Sequence, residues 1–592
     1  MKRIRSLAAI LLSLTMMLLL AVPAFAAGAY SITIRNDKEG HTYEAYQIFA
    51  GDVSSDEVQG GNAEGPILSN IIWGRGVDKT QYAALLAALK ADATIGAKFN
   101  SIDDATDAAA IAAALDGATA ADAAAFANVV SGFLSATLTP STYNGGAYTI
   151  DGLDSGYYLV KDQNGSLEGD ADTATEYIVQ VLGNVTMEPK DSDIPTVEKK
   201  VSDEEYTQYE GAQGPGYQPP YGYGYNDVAD WDIGDSVPFK LIGSIPDMSA
   251  YDTYKYIFTD TLSNGLTLQA DTIKVYIARN PYDQVNNYEP LIMGADYTLD
   301  VQNVGANGGG SFSIAFEDLK TNRYVAGEQG DEYHYVIVTY DATLNANAEI
   351  GLPGNPNSVD LQFSNNPNGD GLGRTQEDTV IVFTYELDGT KVDGANVNTK
   401  LEGAEFVLLN GGHTQVARIE NGKLAGWVDF PDGYGNTNYA EIPYETWTEF
   451  NEDMNVIMTS DAEGAFGVAG LEDGTYYLME IQAPDGYNLL EHDLKVTITA
   501  TTANGQNWDG VPANALTVLA VQTQLGETAP VNGTGNVETG AVGIQVTNNH
   551  GATLPETGGM GTTLFYVIGG LLVAGAGNLL VVRFRMRASN KE

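Results

Sequence analysis

The residues of this chain best placed to do chemistry are lysines that strand alternation assigns to an apolar face. Phe383, Tyr385, Leu387, Gly389 and Lys391 fall on one parity, as do Ile544, Val546 and Asn548. Val197, Lys199 and Val201 alternate with Glu198 and Lys200, and Val359, Leu361, Phe363 and Asn365 follow the same rule. A lysine in such a place is desolvated, which lowers its pKa and frees the amine lone pair. A carboxyl buried beside it is pushed upward, stays protonated, and can polarise an amide carbonyl and shuttle protons. Amine, carboxyl and amide meeting in a dry core would gain their rate from proximity. Other chemistries have little to work with. The 592 residues include no cysteine and five histidines, which removes disulfides, thiol nucleophiles and zinc–thiolate sites and leaves little for acid–base catalysis. No triad or metal-ligand spacing stands out, so no cofactor and no metal are expected.

Those positions need strands, and strand patterns fill most of the chain. Tyr177-Ile178-Val179-Gln180-Val181, Tyr333-His334-Tyr335-Val336-Ile337-Val338 and Leu494-Lys495-Val496-Thr497-Ile498 lie between Gly, Asn and Asp clusters, the signature of antiparallel β-sandwiches. From Gln81 to Leu134 the chain turns alanine-rich, with Leu85, Leu86 and Leu89 at helical spacing. Ser101-Ile102-Asp103-Asp104 reads as a helix start. With strands on both sides, this is a helical insertion in a β domain; an independent helical module is the alternative. Pro189-Lys190-Asp191-Ser192-Asp193-Ile194-Pro195 reads as a linker, and Gly211 to Tyr225 as a long Gly/Pro/Tyr-rich loop. The expectation is a mostly β chain of three tandem immunoglobulin-like sandwiches, over 27–189, 190–384 and 385–551. The hydrophobic content of 43% supports packed cores. The net charge of −49 excludes nucleic acid as a partner, because its phosphates would be repelled.

The two ends read as addresses. In residues 1–26, Lys2, Arg3 and Arg5 precede an apolar run from Leu7 to Leu20, and Ala24-Phe25-Ala26 is a small-x-small cleavage site, the pattern of a signal peptide. In residues 552–592, Leu554-Pro555-Glu556-Thr557-Gly558 precedes an apolar stretch, Leu564 to Val582, about as long as a bilayer is thick. Arg583, Arg585, Arg587 and Lys591 then form a cytoplasmic stop. This order resembles the cell-wall sorting signal of Gram-positive surface proteins. The resemblance implies that a sortase cysteine attacks the Thr557 carbonyl and releases Gly558 onward, and that an amine resolves the thioester. The product would be a secreted protein anchored to the cell wall, its precursor held briefly in the membrane.

Several segments together resemble a three-domain fimbrial backbone subunit. Gly403-Ala404-Glu405-Phe406, Gly464-Ala465-Phe466 and the run from Gly474 through Glu480 to Tyr487 are similar to the Cna B-type sandwich. The run Tyr256 to Leu266 and Phe363-Ser364-Asn365-Asn366-Pro367 look like the middle domain of backbone pilins, and Gly40 to Phe49 like the start of their first domain. That resemblance implies Lys–Asn isopeptide bonds inside the domains. In the third domain it pairs Lys391 with Asn548, with Glu480 as the acid. In the second it pairs Lys199 with Asn365; Asp230 fits the family pattern best as the acid, with Asp232 and Asp260 left open. The first domain departs from the pattern. Lys161 in Gly156-Tyr157-Tyr158-Leu159-Val160-Lys161 stands where the acid should be, and Ile32-Thr33-Ile34-Arg35 lacks the lysine, so no bond is expected there. A tie between first and last strands would add on the order of 4–5 kcal/mol by analogy with disulfides closing long loops.

The family also implies a lysine that accepts the next subunit's acyl group. Val185-Thr186-Met187-Glu188-Pro189-Lys190 matches that motif, with Glu188 where tyrosine is usual, and points to Lys190, with Lys199 and Lys200 as the nearest rivals. The carboxylates of Glu188, Asp191 and Asp193 would hold its amine protonated, which opposes attack. The partners implied are a pilus-class sortase, a housekeeping sortase, other copies of the chain, tip and base pilins, and peptidoglycan. Asn548 and Asn365 would be reactants, so the chain is no enzyme. The rival reading is a monomeric wall-anchored adhesin on a Cna B-type stalk.

Overall fold

The computed structural model describes residues 28–54, 67–188, 194–203, 225–281, 287–302, 308–326, 333–367, 371–503, 508, 510–550 and 561–588. The signal-peptide reading, Lys190 with its linker, nearly all of the Gly211–Tyr225 stretch and the Leu554–Gly558 motif lie outside these residues.

The first β unit pairs a four-stranded sheet with a five-stranded one. In the four-stranded sheet Tyr30–Ile34 lies between Tyr148–Leu153 and Val185–Met187, antiparallel to the former and parallel to the latter. The strand Tyr43–Ser54 in the other sheet is covered on both faces. Tyr43 and Ala45 point into the sandwich with Ile32 and Ile150, while Ile48 and Phe49 bury Leu85, Leu86, Leu89, Phe126 and Val130. The alanine-rich region forms helices Tyr82–Ala91, Gly96–Phe99, Ala108–Ala114 and Ala120–Ser131. Because they share a core with the sheet, they are an insertion and not a separate module. Their start signal differs from expectation: residues 101–107 are turn and coil, and Asp107 caps the helix at Ala108 by accepting from the Ala110 amide. Asp104 is used instead in a local turn with Thr106, a competing side-chain bond to backbone.

The second unit packs a six-stranded sheet on a seven-stranded one. Val197–Ser202, Ser236–Ser244, Tyr335–Leu344 and Leu266–Ala278 run side by side in the first. Asp378–Phe383, Asn355–Ser364, Tyr256–Leu262 and Gly310–Phe316 do so in the second. The third unit is one thirteen-stranded sheet whose end strands, Val531–Asn532 and Thr534–Asn536, are successive in sequence. The sheet therefore curls back on itself at Gly533, where a Cβ would stand 2.3 Å from the Gly543 carbonyl oxygen. This unit also carries a helix, Tyr444–Met454, which buries Trp447 against Val407 and Phe430. Beyond the β domains, helix Gly561–Ala588 contains an apolar segment, Tyr566–Phe584, long enough to cross a membrane.

Candidate functional sites: two buried Lys–acid–Asn clusters

In the third domain the first strand, Tyr385–Asp393, runs parallel to the last, Ala541–Asn548, with Lys391 opposite Val546. Alternation then places Asn548 on the same face as Lys391, one step along. Glu480, on Gly474–Gln482, comes from across the core. Lys391 Nζ lies 2.7 Å from Glu480 Oε1, and Asn548 Nδ2 donates to Glu480 Oε2 at 2.9 Å. Asn548 Nδ2 also donates to the Asn488 carbonyl, while its Oδ1 is buried without a hydrogen-bond partner. Lys391 is fully buried, and its Nζ sits 5.1 Å from the centroid of the Phe406 ring. Burial pushes its amine below the ordinary lysine range, against the pull of Glu480. The structure thus brings Lys391, Asn548 and Glu480 together.

In the middle domain Lys199 meets different partners. It projects from one sheet into the other, where Nζ donates to Asp260 Oδ2 at 2.5 Å and to Asn357 Oδ1 at 2.6 Å. Asp260 and Asn357 are on adjacent antiparallel strands, one step out of register, since Leu262 faces Asn357. Tyr340, from the strand Tyr335–Leu344, completes the cluster. Its hydroxyl lies 3.0 Å from both Asp260 oxygens and accepts from Asn357 Nδ2 at 2.8 Å. Lys199, Asp260 and Asn357 have no exposed surface. Burial lowers the Lys199 amine to about 8, with Asp260 opposing, and burial raises the Asp260 carboxyl, with Lys199 opposing.

Asn365 and Asp230 are therefore corrected. Asn365 lies just past the end of Asn355–Ser364, where its Nδ2 donates to the Leu167 carbonyl of the first domain at 2.7 Å and its own carbonyl accepts from the Ala174 amide. Asp230 lies at the junction with the third domain, accepting from the Asp473 amide at 3.2 Å, and burial with Asp473 and Asp203 nearby raises its carboxyl well above the usual range. Asp232 is at the same junction, accepting from Trp427 Nε1 at 2.7 Å and from the Glu472 amide at 2.8 Å. Asn357 was missed although it has the parity of Val359 and Leu361, and Tyr340 carried no signal beyond being an aromatic strand residue.

The first domain has no lysine on its first strand; Arg35 follows it, exposed, 3.9 Å from Glu188. Lys161 donates to Asn164 at the surface. Among the buried polar groups of this domain is His41, between Asp162 (2.9 Å) and Asp172 (3.2 Å) and stacked on Tyr43. Burial opposes a charged imidazole, but the two carboxylates outweigh it and raise His41 to about 9.

Residues 233–367 match the family of the Gram-positive pilin backbone subunit 2, Cna-B-like domain, and residues 386–509 match the SpaA prealbumin-like fold domain. The trypsin-resistant surface T6 protein of Streptococcus pyogenes serotype M6 is 25% identical over 421 residues, 62% of this chain and 71% of that protein. Among solved structures, the T6 backbone pilin of serotype M6 Streptococcus pyogenes aligns with a TM-score of 0.46 at 16% identity, covering 88% of this chain and 98% of that one. The major pilin SpaD from Corynebacterium diphtheriae aligns at 0.41 and 17% identity, covering 88% and 98%. The chain is homologous to the backbone pilins of Gram-positive pili, with a mostly β, multidomain, prealbumin- and Cna-B-like fold.

Proposed function

We propose that this protein is the repeating shaft subunit of a covalent pilus, strengthened by isopeptide bonds between Lys391 and Asn548 and between Lys199 and Asn357. The observation that carries this reading is the pair of dry lysine–carboxyl–asparagine clusters. Each offers an amine held below its usual pKa beside an amide carbon and a carboxyl. In each the lysine nitrogen adds to the asparagine Cγ, the Cγ–Nδ2 bond breaks, and ammonia leaves with a proton passed on by the carboxyl. The asparagines are consumed once, which is cross-linking and not turnover. Such ties would resist peeling of strands in a chain without disulfides.

Between subunits, a pilus-class sortase would join Thr557 of one chain to Lys190 of the next, and a housekeeping sortase would finally attach the polymer to peptidoglycan. The apolar helix supports a membrane-held precursor. Wall extracts boiled in SDS test the polymer. A high-molecular-weight ladder is expected, collapsing to monomer in Lys190→Ala. A ladder that survives the substitution would move the acceptor elsewhere, and no ladder in the wild type would favour the monomeric anchored adhesin.

A further inference from the structure

The two clusters contain the same three reactants but are wired differently at the nitrogen that must leave. In the third domain one carboxyl serves both ends: Glu480 Oε1 faces Lys391 Nζ and Oε2 holds Asn548 Nδ2. In the middle domain Asp260 meets Lys199 Nζ, while the side-chain oxygen bonded to Asn357 Nδ2 is the Tyr340 hydroxyl. That hydroxyl bridges to both Asp260 oxygens. The ring is fixed between Phe239, stacked at 5.3 Å, and Phe312, edge-on at 4.9 Å.

Accepting the Lys199–Asn357 cross-link proposed above, we infer that Tyr340 is a catalytic residue of its formation, relaying a proton from Asp260 to the departing Asn357 nitrogen. The bond inventory requires such a path. The Lys199 lone pair forms the Nζ–Cγ bond as the carbonyl π pair moves to Oδ1, leaving one surplus proton on Nζ and one too few on Nδ2. In the amide, Nδ2 donates to the Tyr340 oxygen, because its lone pair is conjugated with the carbonyl. Once Cγ is tetrahedral, that lone pair is free and accepts along the same 2.8 Å line. Protonated Asp260 passes its proton to the Tyr340 oxygen as Tyr340 gives its own to Nδ2, and Asp260 takes the surplus proton from Nζ. The Oδ1 pair then restores the carbonyl, the Cγ–Nδ2 bond breaks, and ammonia leaves with Asp260 and Tyr340 as they began. In the third domain Glu480 spans the same two atoms, so no relay is needed.

The test is cell-free synthesis of the full chain with a short isotopic pulse. Samples are taken over time and digested, and mass spectrometry follows the two branched peptides, Lys199–Asn357 and Lys391–Asn548, separately. Tyr340→Phe should slow the first branch by about a hundredfold, the lower end for a positioned acid–base group, and leave the second at its wild-type rate. Because Tyr340→Phe can also disturb folding, the wild type made in heavy water gives a measurement that needs no variant. Two coupled proton transfers should make the solvent isotope effect larger for the Lys199–Asn357 branch than for the Lys391–Asn548 branch. An undisturbed first branch in Tyr340→Phe, or equal isotope effects in the two domains, would overturn the relay. Absence of both branches from the wild type would overturn the cross-linking itself, and the relay with it.

Discussion

Lys199 Nζ lies 2.6 Å from Asn357 Oδ1, bridging the two sheets of the middle domain, while Asn365 is held at the far end of the same run by the first domain. The amine therefore has one amide within reach. Asn357→Ala and Asp260→Asn should each leave the Lys199 peptide unbranched, and the intact chain one ammonia heavier than the mass calculated for that variant's sequence with the Lys199 cross-link formed. Asn365→Ala and Asp230→Asn should leave that branch complete. A branch lost in either of the latter two would contradict this assignment.

Glu480 is the only carboxyl that the described residues place on both Lys391 and Asn548. Glu480→Ala should block the third-domain bond, and intact mass would register the retained ammonia. Stability should fall by an amount on the order of 4–5 kcal/mol, the chain-entropy figure for cross-links closing long loops. Guanidinium unfolding of the third domain measures it, with Asn548→Ala as the variant that removes the amide and keeps the acid.

His41 predicts a pH dependence in the first domain. Its imidazole is raised from 6.5 to about 9 by Asp162 and Asp172 in spite of burial, with Lys38 also on Asp172 and the rings of Tyr43 and Tyr148 packed against it. The folded state holds the proton more tightly than the unfolded one, so the stabilisation is complete below about pH 6.5 and is lost as the pH rises through about 9. Thermal melting of the first domain should fall across that window in the wild type and stay flatter in His41→Gln. Parallel curves for the two would rule out His41 as the source.

Asn365 predicts how the first and second domains hold together. Besides its own bonds to Leu167 and Ala174, the Gly169 amide donates to Leu372 and the Arg374 amide to Asp170. Asn365→Ala leaves the Leu167 carbonyl without that donor, a loss of about 1–3 kcal/mol if it stays buried. Hydrogen exchange at Gly169 and Ala174 should quicken, while amides of Tyr256–Leu262 keep wild-type protection. Unchanged exchange at both loop amides would remove Asn365 from this role.

Local patterns carried much of the design. Period-2 alternation placed Lys199, Lys391 and Asn548 on buried faces, because a strand's faces alternate whatever it packs against. The apolar length of Tyr566–Phe584 and the alanine-rich helices were legible for the same reason: they are properties of contiguous residues. Parity gives a face but no level along it. Asn357 and Asn365 share a parity, and the crossing of the two sheets decides which of them meets Lys199. Asp230, Asp232 and Asp260 were equally acidic in the sequence, but the first two are carried to the third domain and Asp260 into the core. Whether a carboxyl spans both ends of the reaction, as Glu480 does, or needs Tyr340 beside it is fixed by distances of a few ångströms across a packed interior. Those distances arise only when strands far apart in the chain are brought together.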